Sequence, residues 1–195
     1  MRRERELWWR LIAAAALKRG DIASDVVRFE FADVKVPNQA FKRVVRDFAL
    51  SKAMFTWADY FPKIAAEWLV SHPEDLWLLP RVAARWGQHD PAAASAWLDK
   101  NVSATAAQES RQAMVLEWAE YSPRIAFEWA VTYLKGSSRE VAFSAVFSKW
   151  ASEYPQEALL SALDLNDETE RHIALASVFS AWCGQDLEAF SAWLK

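Results

Sequence analysis

Tryptophan recurs in this chain at a fixed spacing, and that spacing limits the fold more than any other feature. Trp57, Trp86, Trp118, Trp150 and Trp182 are separated by 29, 32, 32 and 32 residues. A second tryptophan follows eleven positions later at Trp68, Trp97, Trp129 and Trp193, with Ser161 the exception. Five positions after each first tryptophan stand Pro62, Pro91, Pro123 and Pro155, then Leu187. Three positions further stand Ala65, Ala94, Ala126 and Ala158, then Phe190. A period within about 20–50 residues marks a solenoid or array, in which each copy buries its apolar face on its neighbours.

The stretch from Trp118 to Trp150 shows how one copy is built. Proline suits the first turn of a helix, where its missing N–H has no intrahelical partner. Helix A is therefore predicted to start at Pro123 with Ser122 as its N-cap. Ile125, Ala126, Trp129 and Tyr133 form its apolar stripe at helical spacing. Gly136 fits the left-handed position that stops a helix, and Ser138 is predicted to cap helix B. Helix B then carries Val141, Ala142, Ala145, Val146 and Trp150. The same reading fits 155–183, with the turn at Leu165–Glu170.

Only four glycines, many alanines and little residue alternation point to an all-α protein. Twelve tryptophans in 195 residues mostly occupy the two repeat positions, which assigns them to packing within and between copies. Exposed indoles lining a partner groove are the competing role, because tryptophan is enriched at binding hot spots. The formal net charge of −3 is unevenly placed: residues 1–63 carry 13 Lys and Arg against 8 Asp and Glu. An acidic remainder is poorly suited to a phosphate backbone. The single Cys183 excludes an intramolecular disulfide framework and reads as a buried structural thiol, which fits a cytoplasmic setting.

Arg10 breaks the apolar run 7–17, and Glu4 and Glu6 dilute the charged start, which argues against a secretory signal. That run is too short to span a bilayer. A cap helix packing Leu7, Leu11, Ala14 and Ala15 is expected there, with a helix over 23–32 and a further helix capped by Asn38 after Pro37. The second copy is the most distorted: His72-Pro73 ends a helix, and Pro80 should kink or delay the next one. The chain is expected to form one α-solenoid domain over 1–195, with cap helices and a degenerate first copy in 1–53 and the regular array in 54–195. Its last copy reads as a helix A without a helix B, and the apolar Leu187, Phe190, Trp193 and Leu194 suggest an end covered by a second copy, a partner or further sequence.

The proline-to-tryptophan spacing of six in Pro62/Trp68, Pro91/Trp97 and Pro123/Trp129 resembles the tetratricopeptide class of helical hairpins over about residues 54–195. The period is 32 rather than 34, and the family's Leu-Gly pair is replaced by Ala130-Val after Trp129, so the chain is equally similar to HEAT-like superhelical repeats. Either resemblance implies a scaffold that binds proteins or peptides on a curved face. It carries over no binding residues.

Catalytic signatures are missing from the sequence: there is no glycine-rich phosphate loop, His-Glu-x-x-His, Gly-x-Ser-x-Gly or cysteine pair. His72, His89 and His172 fall at turns or helix starts and read as solvated or capping. Glu67, Glu117 and Glu128 neighbour tryptophans, yet Ala96, Leu160 and Ala192 stand where Glu67 and Glu128 recur, so these acids mark a solvent boundary. The expected product is a right-handed α-solenoid of about 32-residue hairpins, non-enzymatic and without cofactor or metal. Its partner is expected to be a protein, a peptide or a second copy of itself, met by Trp77, Tyr133, Phe190 and Trp193. The alternative is nucleic-acid binding by the basic face of Lys42, Arg43, Arg46, Lys52 and Lys63.

Overall fold

Proline sets the helix starts. Of the seven prolines, five open an α-helix within its first two residues, and Pro73 opens a 3-10 helix. The computed structural model describes residues 39–193, so Pro37, the cap helix over 7–17 and the helix expected over 23–32 lie outside the described residues. Those described are all-helical, with ten α-helices and no strand.

The helices are α1 (Gln39–Tyr60), α2 (Pro62–Ser71), α3 (Leu79–His89), α4 (Pro91–Asn101), α5 (Ala104–Ala119), α6 (Pro123–Tyr133), α7 (Gly136–Glu153), α8 (Pro155–Leu163), α9 (Glu168–Gln185) and α10 (Leu187–Trp193). The 3-10 helix Pro73–Leu78 precedes α3. The described residues divide into two compact units on either side of residue 94, with the boundary inside α4.

One local joint recurs in both units. The backbone N–H of Phe61, Asp90, Ser122, Tyr154 and Asp186 donates to the carbonyl of the tryptophan four residues earlier, at 2.7–2.9 Å. The carbonyls of those same residues accept from Ala65, Ala94, Ala126, Ala158 and Phe190 at 3.0–3.1 Å. Each joint residue thus ends one helix and begins the next, with φ between −138° and −151° and ψ between 59° and 84°. Proline, the next residue in four joints, cannot donate and disfavours a helical conformation in the residue before it, so the helix is interrupted for one residue and restarts. The reversal brings the tryptophans on either side together, with ring centroids 6.3 Å apart for Trp57–Trp68, 5.0 Å for Trp118–Trp129 and 5.6 Å for Trp182–Trp193.

In the first unit α1, α2 and α3 pack on one another around Leu50, Met54, Trp57, Ala65, Leu69, Leu78 and Val82. Pro80 does not kink a helix. The 3-10 helix carries the chain forward, and α3 starts late enough to place Pro80 in its first turn. His72 serves as a cap: its ring stacks on Trp68 at 3.8 Å, and Nδ1 lies 2.9 Å from the Trp68 carbonyl.

In the second unit the long helices α5, α7 and α9 pack in succession. The short α6 lodges against α5 and α7, and α8 against α7 and α9. Phe143 and Phe147 are wholly buried, and Phe127 reaches them at 5.5 and 5.3 Å and Trp150 at 5.9 Å. At Ser161, where the second tryptophan is absent, this phenylalanine cluster covers Trp150. Buried Arg111 ties α5 to the second half of α4: Nε donates to Ser95 Oγ at 2.8 Å, and the guanidinium also reaches the Ser95 carbonyl and Asp99.

Several local expectations are corrected. Gly136 has φ +53°, as a chain reversal requires, but α7 begins there, so Lys135 is its N-cap and Ser138 falls inside the first turn. Ser122 occupies the N-cap position without a side-chain bond. Ile125 and Val141 are exposed, because the α6 face turned inward is Pro123, Ala126 and Ala130, and that of α7 is Ala142, Phe143, Val146 and Trp150. Cys183 is free and half-buried, since the buried line of α9 runs through Ala174, Val178 and Trp182. The turn after α8 is closed by Asp167, whose Oδ1 accepts from the Glu170 N–H at 2.9 Å.

Candidate functional site: a groove at the joints of the second unit

The joints separate two kinds of aromatic residue. Four of their first tryptophans, Trp57, Trp86, Trp150 and Trp182, are buried, and Trp118 is half-buried. The tyrosines there are exposed: Tyr60 by 66%, Tyr121 by 77% and Tyr154 by 57%. An acid precedes each, in Asp59-Tyr60-Phe-Pro62, Glu120-Tyr121-Ser-Pro123 and Glu153-Tyr154-Pro155. Directly following the buried end of a helix, these positions point away from the core because the last helical turn rotates them by about 100° per residue.

In the second unit two joints frame an open groove of about 540 Å³. Its walls come from Tyr121 and Ser122, from Pro123–Ile125 and Glu128 of α6, and from Tyr154 and Glu157 at the start of α8. Trp150 and Glu153, at the end of α7, complete it. Both short helices pack on α7, so the groove is the space left where their N-terminal halves begin.

Charge in and beside the groove is negative. Lys149 bridges Glu120 at 3.3 Å and Glu153 at 3.8 Å, and Arg124 lies 3.6 Å from Glu128. Glu157 has no ion-pair or hydrogen-bond partner among the described residues. These ion pairs are largely exposed and contribute little to stability. Neither α6 nor α8 has a side-chain N-cap bond, which leaves first-turn amides such as those of Arg124 and Ile125 open to an acceptor. The groove therefore offers aromatic faces, carboxylate acceptors and a few backbone donors.

The residues singled out in the sequence are placed differently. Trp77, on the 3-10 helix of the first unit, is 50% exposed. Tyr133 is stacked on Trp129 at 4.2 Å. Phe190 is half-buried, packing on Phe179 at 5.7 Å and Trp182 at 5.6 Å, while the exposed Trp193 stacks on Phe190 at 6.5 Å. Lys42, Arg43, Arg46 and Lys52 share α1; the side chains of the first three are outside the described set, and Lys52 is exposed. Lys63 on α2 pairs with Glu67 at 3.8 Å.

Tyr121 and Tyr154 were not apparent as site residues from periodicity, because they recur one position apart relative to their tryptophans. The acid-tyrosine pair just before each proline is the signal that marks them. Among the described residues no cluster of three metal-ligating side chains occurs, and no helix is long and apolar enough to cross a membrane. Comparison of the chain with protein-family models, curated proteins and solved structures finds no match.

Proposed function

We propose that this chain is a right-handed α-solenoid of helical hairpins of about 32 residues, similar to the tetratricopeptide and HEAT-like classes. Its role is non-enzymatic: it is a cytoplasmic scaffold that binds a protein or peptide. The observation that carries this reading is the exposure of Tyr121 and Tyr154 along a groove whose neighbouring tryptophan, Trp150, is buried. Tyrosine supplies a large, stiff contact surface at low entropic cost, which suits it to recognition. The five joints of common geometry support the repeat reading, since they place equivalent residues at equivalent turns.

The test is capture of partners from source-cell lysate on the tagged full chain, with and without nuclease. The expected result is a stoichiometric protein partner that survives nuclease and is lost with Tyr121→Ala/Tyr154→Ala. Recovery of nucleic acid, or loss of all partners on nuclease treatment, would sink the scaffold reading. It would move the function to Lys42, Arg43, Arg46, Lys52 and Lys63.

A further inference from the structure

We infer that the groove between Tyr121 and Glu157 binds an extended peptide segment through an arginine or lysine side chain. The inference rests on the scaffold reading and names its ligand. Size comes first: about 540 Å³ accommodates a few side chains of an extended chain, within the range of about 300–1,000 Å³ that holds small ligands. A folded domain does not fit into it.

Charge then selects the ligand. Glu128, Glu153 and Glu157 line the groove with one cation, Arg124, and the Lys149–Glu120 ion pair stands beside it, so the four carboxylates face two cations. Glu157 is the one carboxylate of the four without a partner among the described residues, and the Arg124–Glu128 pair, at 3.6 Å with both side chains more than half exposed, exchanges readily with a better-placed cation. A phosphate backbone is repelled by this surface, and an acidic peptide likewise. A guanidinium is matched twice over, because it forms paired hydrogen bonds with carboxylates and stacks on aromatic faces. Tyr121 and Tyr154, both exposed and both lining the groove, supply those faces.

The peptide backbone finds donors as well. The N–H groups of Arg124 and Ile125 in α6, and of Glu157 in α8, have no intrahelical partner, and no side chain caps either helix. Carbonyl groups of an extended segment are suited to accept from them. An acidic cluster alone would attract cations without orienting them. Here Glu128, Glu153 and Glu157 line the same groove as Tyr121 and Tyr154.

Selection of a random displayed peptide library on the full-length chain tests this, followed by titration of the enriched peptides against three double variants. Glu128→Gln/Glu157→Gln and Tyr121→Ala/Tyr154→Ala act in the groove; Glu168→Gln/Glu188→Gln removes the same two charges from exposed first-turn positions of α9 and α10. The expected result is enrichment of arginine- or lysine-bearing peptides whose affinity falls at least tenfold in both groove variants and less than twofold in the α9/α10 variant. The Gln pair is isosteric and exposed, so it remains decisive if the Ala pair unfolds. Neutral or acidic peptides, or equal losses in all charge variants, overturn the groove assignment and leave the scaffold reading standing. A selection that enriches no peptide overturns the groove assignment, and the scaffold reading is then decided by the lysate capture.

Discussion

The two units build the same joint but turn their hairpins in different ways. In the first unit, α2 and α3 are connected by a 3-10 helix that spans Pro73–Leu78, with Pro80 in the first turn of α3. In the second, α6 passes to α7 in two residues through Gly136 at φ +53°, and α8 passes to α9 through the Asp167 cap. The joint is a local device: a tryptophan carbonyl, an extended residue and, in four of five cases, a proline produce it wherever they occur. The turn answers to packing. Long helices α7 and α9 lie against each other and demand a tight return, whereas the first unit uses its longer connection to bury Asp75 and Leu78.

The largest effect should come from the joint tryptophans, which are equally buried in the two units at 3% exposure for Trp57 and Trp150. Trp57→Ala and Trp150→Ala are each expected to lose about 3–5 kcal/mol, the range for emptying a buried aromatic site. Urea unfolding measures the loss, and amide hydrogen exchange locates it. Faster exchange confined to the mutated unit sustains the division at residue 94; one common opening of both units breaks it.

Arg111→Ala comes next, with an expected loss of about 2 kcal/mol, because charge-assisted hydrogen bonds contribute about 1.5–3 kcal/mol and Asp99 remains hydrated when its partner is removed. Ser95 loses partners for both its hydroxyl and its carbonyl. A loss below about 0.5 kcal/mol, the scale of ordinary surface changes, would mean that the second half of α4 is held on α5 by its apolar residues alone.

The glycines sharpen the contrast in turn chemistry, since nothing lies within 4 Å of a Cβ added at either Gly136 or Gly184. Gly136→Ala should therefore cost about 1 kcal/mol through its left-handed backbone alone. Gly184→Ala, in the exposed last stretch of α9, should gain about 0.5–1 kcal/mol by removing a flexible residue from a helix. Opposite shifts in melting temperature verify the pair; shifts of the same sign contradict the assigned turn.

The smallest effect is at Pro80. In a first turn it only restricts the unfolded chain, so Pro80→Ala should destabilise by about 0.4–1 kcal/mol. A proline within a helix interior would give the reverse, a gain of about 3 kcal/mol on replacement. The sign of the change in thermal unfolding is thus a direct reading of how the first unit makes its hairpin.

Much of the helical organisation was legible beforehand. The landmarks Trp118, Pro123 and Trp129 placed the start of α6, because proline effects act over a few residues, whereas the cap expected at Asn38 lies outside the described residues. The site was far less legible. Trp77 and Trp193 are exposed, Phe190 is partly covered by Phe179 and Trp182, and the groove is lined by tyrosines that repeat out of phase. Periodicity registers residues that recur in the core; it carries no weight at a turn, where one position of slippage costs no packing.

What the sequence determined by itself, then, is where each helix starts and stops around the joints, since a missing N–H and a restricted backbone operate within four residues. Tertiary structure alone decided which apolar side chains are covered. Ile125 and Ala126 are neighbours in the chain, yet one is 53% exposed and the other wholly buried. The packing of α6 on α5 and α7 chooses between them, and the same packing leaves Tyr121 and Tyr154 facing solvent on the groove.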